Sequence, residues 1–191
     1  MLLEYLNLIM IRLDKIFGRL GNRMFQLATL YAYAREKKVD FYFQDEKWWK
    51  GYEKEIKQLF GSDIEPIDMV SIHVRRGDYV NNPFYVDLID DGYYERAIEL
   101  FPDEDFLVFS DDIEFCKRYF IGRQFTFCEE KDEIKSLNLM AGCRANIIAN
   151  SSFSWWAAYL NPNQNKKVVA PLAWFADGVE RTKLPDNWIK I

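Results

Sequence analysis

Ser71-Ile72-His73-Val74-Arg75-Arg76-Gly77-Asp78-Tyr79 closes an apolar run that begins at Ile67. The run Ile67–Val74, with Asp68, Ser71 and His73 interspersed, predicts a buried strand. It ends in two adjacent guanidiniums, a glycine and a carboxylate. In an open α/β sheet, ligands sit in the crevice beyond the carboxyl ends of the strands. Arginine presents a rigid fork of donors that fits phosphate oxygens two at a time. Gly77 can turn the chain out of the strand through a conformation that other residues avoid. His73 is the one histidine of the chain. A surface Arg-Asp pair behind a core strand would also produce Arg-Arg-Gly-Asp, so the reading depends on what surrounds it.

Outward from this strand the pattern is regular. Downstream, a polar loop over 79–91 precedes a helix face of Tyr94, Ala97, Ile98 and Phe101. Phe106–Ser110 is the next strand, Ile113–Phe120 a helix and Gln124–Cys128 a strand. Asp132 is placed to cap a helix with Ile134, Leu137, Met140 and Ala141 inward. Ala145–Ala149 is a strand, Phe153, Trp156, Ala157 and Leu160 one face of a helix, and Lys167–Ala170 a last strand before Pro171. Strands alternating with helices imply a parallel, doubly wound sheet. Upstream, Met10–Phe17 and Val39–Phe43 read as strands. Asn22 reads as the N-cap of a helix with Met24, Leu27, Ala28 and Tyr31 on one face. Tyr52, Ile56, Leu59 and Phe60 mark a short helix ending at Gly61, and Trp48 and Trp49 are packing residues. The expected division is an α/β lobe over residues 1–65 and a complete Rossmann-like domain over 66–191, with the active site in a cleft between them.

Composition supports a folded core. The chain has 191 residues, 49% hydrophobic and 17% aromatic. A net charge of -5 argues against general binding to nucleic acid or anionic membranes. Cys116, Cys128 and Cys143 are odd in number and lack C-x-x-C spacing, which disfavours zinc or a disulfide framework and suits a reducing, cytoplasmic setting. Met1–Leu13 is apolar but too short to span a bilayer, and it shows no secretory cleavage pattern. It reads as an extra N-terminal turn or as sequence upstream of a start at Met10.

Three further strand ends carry suitable chemistry. Asn150, Ser151 and Ser152 lie between a strand and a helix, where they can cap the helix and, with its free N–H groups, bind an anion. Asp111 and Asp112 follow another strand; they can bind a metal, accept hydrogen bonds from guanine or ribose, or cap the next helix, and capping is expected of one of them. Gly18-Arg19-Leu20-Gly21-Asn22 is a glycine-bearing turn without G-x-G-x-x-G spacing or a P-loop lysine. With no such fingerprint after any strand, a dinucleotide oxidoreductase is disfavoured.

Taken in order, these segments resemble the α-1,2-fucosyltransferases of glycosyltransferase family 11. The matching stretches are G-R-L-G-N-R-M-F-Q-L-A (18–28), H-V-R-R-G-D-Y (73–79), F-S-D-D-I-E-F-C (109–116), L-N-L-M-A-G-C (137–143), I-I-A-N-S-S-F-S-W-W-A-A-Y-L-N (147–161) and V-V-A-P-L-A-W-F (168–175). The resemblance implies a GT-B-like two-lobed glycosyltransferase, a GDP-fucose donor, and inverting transfer to the 2-hydroxyl of a galactose-type acceptor, without a metal or other cofactor. It implies that Arg75 holds the donor β-phosphate, with Arg76 beside it, that His73 and an aspartate of Asp111-Asp112 lie near the guanosine, and that Asn150, Ser151 and Ser152 lie near the phosphates. Gly21, Asn22 and Arg23 fall on the acceptor side of the cleft.

Two departures stand out. Arg23 replaces the glutamine usual in the family, and only about twenty residues separate F-Q-D-E (43–46) from the arginine strand, far fewer than the family has. The acceptor-side lobe is therefore expected to be truncated, which raises an alternative: a nucleotide-sugar-binding module with weak or partner-dependent activity. Arg75 and the helix start at Ser151 suit stabilisation of departing GDP. For the base, Asp78 is the nearest carboxylate, although it could instead orient Arg76. His73 is either a base, a nucleotide contact or a core residue, and Asn22 either positions substrate or caps its helix.

Overall fold

The structure is a computed structural model that describes residues 18–37, 60–61 and 64–191. The chain divides into two compact units, Met1–Ser62 and Asp63–Ile191. The strands expected over 10–17 and 39–43, Trp48, Trp49 and most of the helix expected over 52–60 lie outside the described residues, as does the lobe cleft those segments would form.

In the first unit, α1 spans Leu20–Lys37. Met24, Ala28 and Ala32 are buried at intervals of four, one face of a helix. Leu27 and Tyr31 are only half-buried. Asn22 is not the cap: it lies inside the first turn, and the Arg19 carbonyl accepts the Arg23 amide at 3.1 Å. The chain enters the helix through Gly18, at φ +85°, whose carbonyl also accepts Arg23 Nε at 2.8 Å.

The second unit runs β1 (Ile67–Val74), α2 (Tyr93–Ile98), β2 (Phe106–Ser110), α3 (Ile113–Tyr119), β3 (Phe125–Phe127), α4 (Glu133–Gly142), β4 (Cys143–Ile147), α5 (Ser152–Leu160), β5 (Val168–Ala170) and β6 (Ile189–Lys190). The sheet is six-stranded in the order β3-β2-β1-β4-β5-β6, and every pairing is parallel. That is the doubly wound order of a Rossmann fold, with its switch point between β1 and β4. β6 carries no sequence signal. It is two residues long, and pairing of Ile189 with Val169 makes it a strand.

Strand alternation separates two faces. Val70, Ile72 and Val74 join Tyr94, Ala97, Cys116 and Phe120 in one apolar cluster. Ser71 and His73 face the other way. Asn146 Nδ2 donates to Ser71 Oγ at 2.7 Å and to the Met140 carbonyl at 2.9 Å. Asn161 Nδ2 donates to Asn146 Oδ1 at 2.8 Å and to the Cys143 carbonyl at 2.6 Å. This buried network pins the ends of α4 and α5 to β1 and β4, and satisfied polar networks of this kind fix a single packing.

α4 runs into β4 with no loop between them, so β4 begins two residues earlier than its apolar run suggests. Gly142 permits this: a Cβ there would lie 2.1 Å from the Glu65 carbonyl. Asp132 caps α4 as expected, accepting from the amides of Ile134 and Lys135, both at 2.9 Å. Ile134, expected inward, is 61% exposed. It sits in the first turn, where the chain has not yet reached the sheet. No helix among the described residues is long and apolar enough to cross a membrane.

Candidate functional site

Arg75 leaves the end of β1 and is held from two sides. Its Nη1 pairs with Asp111 Oδ2 at 2.7 Å, and its Nη2 pairs with Asp78. Asp111 follows β2, the neighbouring strand, and its Oδ1 also accepts the Arg76 amide at 2.8 Å. One carboxylate therefore fixes both the side chain of the first arginine and the backbone of the second. Gly77 makes the approach possible. It sits at φ +28°, and a Cβ there would lie 2.5 Å from Asp111 Oδ2.

The paired aspartates divide their work. Asp112 caps α3, its Oδ1 accepting the Phe115 amide at 3.0 Å, while Asp111 serves the arginines. Among the described residues no group of His, Cys, Asp and Glu has the arrangement of a metal site. Asp78 pairs with Arg75 and not with Arg76 as expected, because the 3-10 turn Gly77–Tyr79 folds it back toward the strand end. Arg76 lies with Cζ 3.9 Å from the Phe115 ring centroid, and its buried Nε has no partner among the described residues.

His73 is buried, its ring 5.6 Å from Phe153 at the start of α5. Burial and the neighbouring Arg75 guanidinium push its pKa down to about 3, so the imidazole is neutral at physiological pH. Its Nδ1 is buried without a partner among the described residues. Its carbonyl accepts the Tyr94 hydroxyl at 3.0 Å. The Tyr93 hydroxyl lies 2.8 Å from the Ile148 carbonyl and 3.0 Å from the Val169 carbonyl. Burial holds both phenols well above their ordinary pKa, so they remain donors that bind the carboxyl edge of the sheet from below.

Across the switch point, the Asn150-Ser151-Ser152 turn behaves differently from the expected capping set. Asn150 Nδ2 donates to the carbonyls of Val86 at 3.0 Å and Trp174 at 3.1 Å, a structural tie. Ser151 occupies the N-cap position of α5 in an extended conformation, yet its side chain makes no capping bond. Ser154, in the same stretch but outside the expected set of Asn150, Ser151 and Ser152, accepts the Ala149 amide at 3.2 Å and closes the turn. Gly21, Asn22 and Arg23 belong to the first unit and lie in the first turn of α1. A second residue missed was Tyr79: its ring stacks on Tyr85 at 3.7 Å and lies 5.2 Å from Arg75 Cζ.

Arg75 and the start of α5 therefore follow the carboxyl ends of the adjacent parallel strands β1 and β4, the edge of a Rossmann-like sheet where ligands of this fold class bind. The sequence model of the Glycosyl transferase family 11 matches residues 31–191, and the chain belongs to this family. It is 37% identical over 139 residues to the O-antigen biosynthesis glycosyltransferase WbnK of Escherichia coli, covering 66% of this chain and 46% of that protein. It is 33% identical over 180 residues to the Alpha-1,2-colitosyltransferase of Escherichia coli, covering 78% and 61%. It is 27% identical over 156 residues to the Galactoside 2-alpha-L-fucosyltransferase SEC1 of Bos taurus, covering 75% and 39%. The chain thus spans about half the length of the curated relatives it matches. No solved structure matches it.

Proposed function

We propose that this chain transfers L-fucose from GDP-fucose, with inversion and without a metal, to the 2-hydroxyl of a galactose-type acceptor. In this reading residues 1–65 belong to the acceptor-side lobe of a GT-B-like pair. The observation that carries the reading is the Arg75 fork, held in place by Asp111 at the switch point of the sheet. Family membership and the galactoside 2-alpha-L-fucosyltransferase relative support fucose as the sugar, and the colitosyltransferase, named for another sugar, supports the 1,2 linkage alone.

Departure of GDP places growing negative charge on the β-phosphate. A preorganised guanidinium in a water-poor site stabilises that charge without reorganising during the reaction. The Arg75 side chain is 11% exposed, so its charge is only weakly screened, while the Asp78 side chain is 60% exposed. The diphosphate takes the face of the fork that Asp78 occupies, and Asp111 keeps the other. The displaced Asp78 carboxylate then accepts the proton of the attacking hydroxyl. Arg76 lies beside the diphosphate. His73, neutral and with a free ring nitrogen, hydrogen-bonds the donor and moves no proton. Ser151 and Ser152 present the start of α5 to the phosphates. With Asp112 committed to its cap and Asp111 to the arginines, the phosphate charge is met by arginine.

The test is a donor screen. The chain is incubated with GDP-fucose, a colitosyl donor and UDP-sugars, with and without methyl β-galactoside and with chelator present. GDP release that depends on the galactoside, yielding a 1,2-linked product resolved by NMR, is the expected result. Preference for a UDP-sugar, or dependence on added manganese, overturns the reading.

A further inference from the structure

The stretch after β5 takes no part in the donor chemistry described above. It surrounds a cavity of about 340 Å³, at the lower end of the roughly 300–1,000 Å³ of small-molecule pockets. Trp174 and Phe175 supply aromatic walls, and Glu180, Arg181, Thr182 and Lys190 supply polar groups. This segment follows the carboxyl end of β5, on the sheet edge that also carries Arg75 and Asn150.

Contacts run without a break from the arginine site to this pocket. The Trp174 carbonyl accepts Asn150 Nδ2 at 3.1 Å and the Val86 amide at 3.3 Å. Phe175 forms an antiparallel bridge with Tyr85, their rings 5.7 Å apart. Tyr85 stacks on Tyr79, which lies against Arg75.

The chemistry of the pocket is that of a neutral polyol site. Arg181 is already neutralised by Asp177, with bonds of 2.9 and 2.6 Å, and lies over the Phe175 ring at 4.8 Å. Glu180 and Lys190 carry opposite charges, so the lining offers no excess charge to a phosphate or carboxylate. A pyranose ring has an apolar C–H face that suits an aromatic wall and a rim of hydroxyls that suits mixed donors and acceptors.

We propose that this pocket holds the acceptor's hexopyranose, its ring against Trp174 and Phe175 and its hydroxyls on Glu180, Thr182 and Lys190. The assignment rests on the transferase reading above and places acceptor contacts on the second unit, beside the donor arginine.

The test uses the full chain with methyl β-galactoside, GDP and GDP-fucose as separate probes, followed by saturation-transfer NMR and calorimetry. The variants are Glu180→Ala, on an exposed side chain, and Ala173→Trp, which fills the pocket from an exposed lining position. Both should weaken the galactoside by roughly tenfold or more, the scale of a lost hydrogen bond, and leave GDP affinity within about twofold. Unchanged melting curves confirm that the fold persists. Equal galactoside binding by wild type and both variants overturns the proposal, as does absence of galactoside binding by the wild type. A loss confined to GDP-fucose also overturns it, because the pocket then receives the donor's sugar. A wild type that binds galactoside through these residues but binds no GDP refutes the transferase reading and leaves the pocket assignment standing.

Discussion

Replacing Gly77 with alanine tests how the arginine fork is held. Two costs can be read from the structure. At φ +28° an L side chain is strained by about 1–2 kcal/mol. The new Cβ would also lie 2.5 Å from Asp111 Oδ2, so the carboxylate has to move. It then gives up its contacts with Arg75 Nη1 and with the Arg76 amide. Each charge-assisted bond contributes about 1.5–3 kcal/mol. The Asp111 side chain is 24% exposed, so water returns part of the loss. The costs sum to about 4–8 kcal/mol, and with water returning part of the loss a total near 4 kcal/mol is expected; at about 2–4 °C per kcal/mol for a chain of this size the melting temperature falls by about 8–16 °C. The sharper assay is a double-mutant cycle. In an Asp111→Ala background the clash is gone, and Gly77→Ala should cost only the 1–2 kcal/mol of backbone strain. Calorimetry with GDP should show the same coupling in affinity. Strictly additive costs, in both stability and affinity, would show that Gly77 does not serve Asp111 and would refute the argument.

Arg75→Lys keeps the charge but not the fork, and should cost roughly 2–4 kcal/mol of transition-state stabilisation, read as kcat/KM; near wild-type turnover would remove Arg75 from the mechanism. Asp78→Asn should lower kcat in transfer assays while leaving GDP affinity unchanged or tighter, since it removes the base but also a competitor for Arg75. Asn146→Leu removes the donor to Ser71 Oγ and to the Met140 carbonyl and the acceptor of one Asn161 Nδ2 hydrogen in the core, and should destabilise by about 2–4 kcal/mol in urea titrations. His73 has a folded-state pKa near 3 against about 6.5 unfolded, so the unfolded chain binds the extra proton between those values. Its contribution to stability is complete above pH 6.5 and falls by about 1.4 kcal/mol for each unit of pH below about 6. His73→Phe, compared with wild type across that range, should flatten the slope by this amount.

Much of the second unit is legible in its sequence. β1 and β2 fall where their apolar runs predict, at Ile67–Val74 and Phe106–Ser110, because a strand buried on both faces has to be apolar almost throughout. The Asp132 cap is equally local, since its partners are two and three residues away. The locations of Arg75, Asp111 and Ser151 follow from strand order alone, because a doubly wound sheet gathers its strand ends along one edge. The partners of these residues are a different matter. Asp78 and Asp111 converge on Arg75 through the 3-10 turn and across a neighbouring strand, and nothing within Arg75-Arg76-Gly77-Asp78 distinguishes that pairing from an Asp78–Arg76 pair.

What the sequence by itself determined is the order of strands and helices, the edge that carries the chemistry, and the residue types available there. These follow from periodicity and local capping, which act over a few residues. The tertiary structure alone decided which aspartate holds arginine and which caps a helix, and that Asn150 ties Trp174. It also made Ile189–Lys190 a strand and enclosed a pocket between 172 and 190. Those outcomes depend on groups 20 to 35 residues apart meeting at one place, and on one Cβ-free approach at Gly77. Contacts between distant segments are chosen by packing of the whole sheet, so no window of sequence contains them.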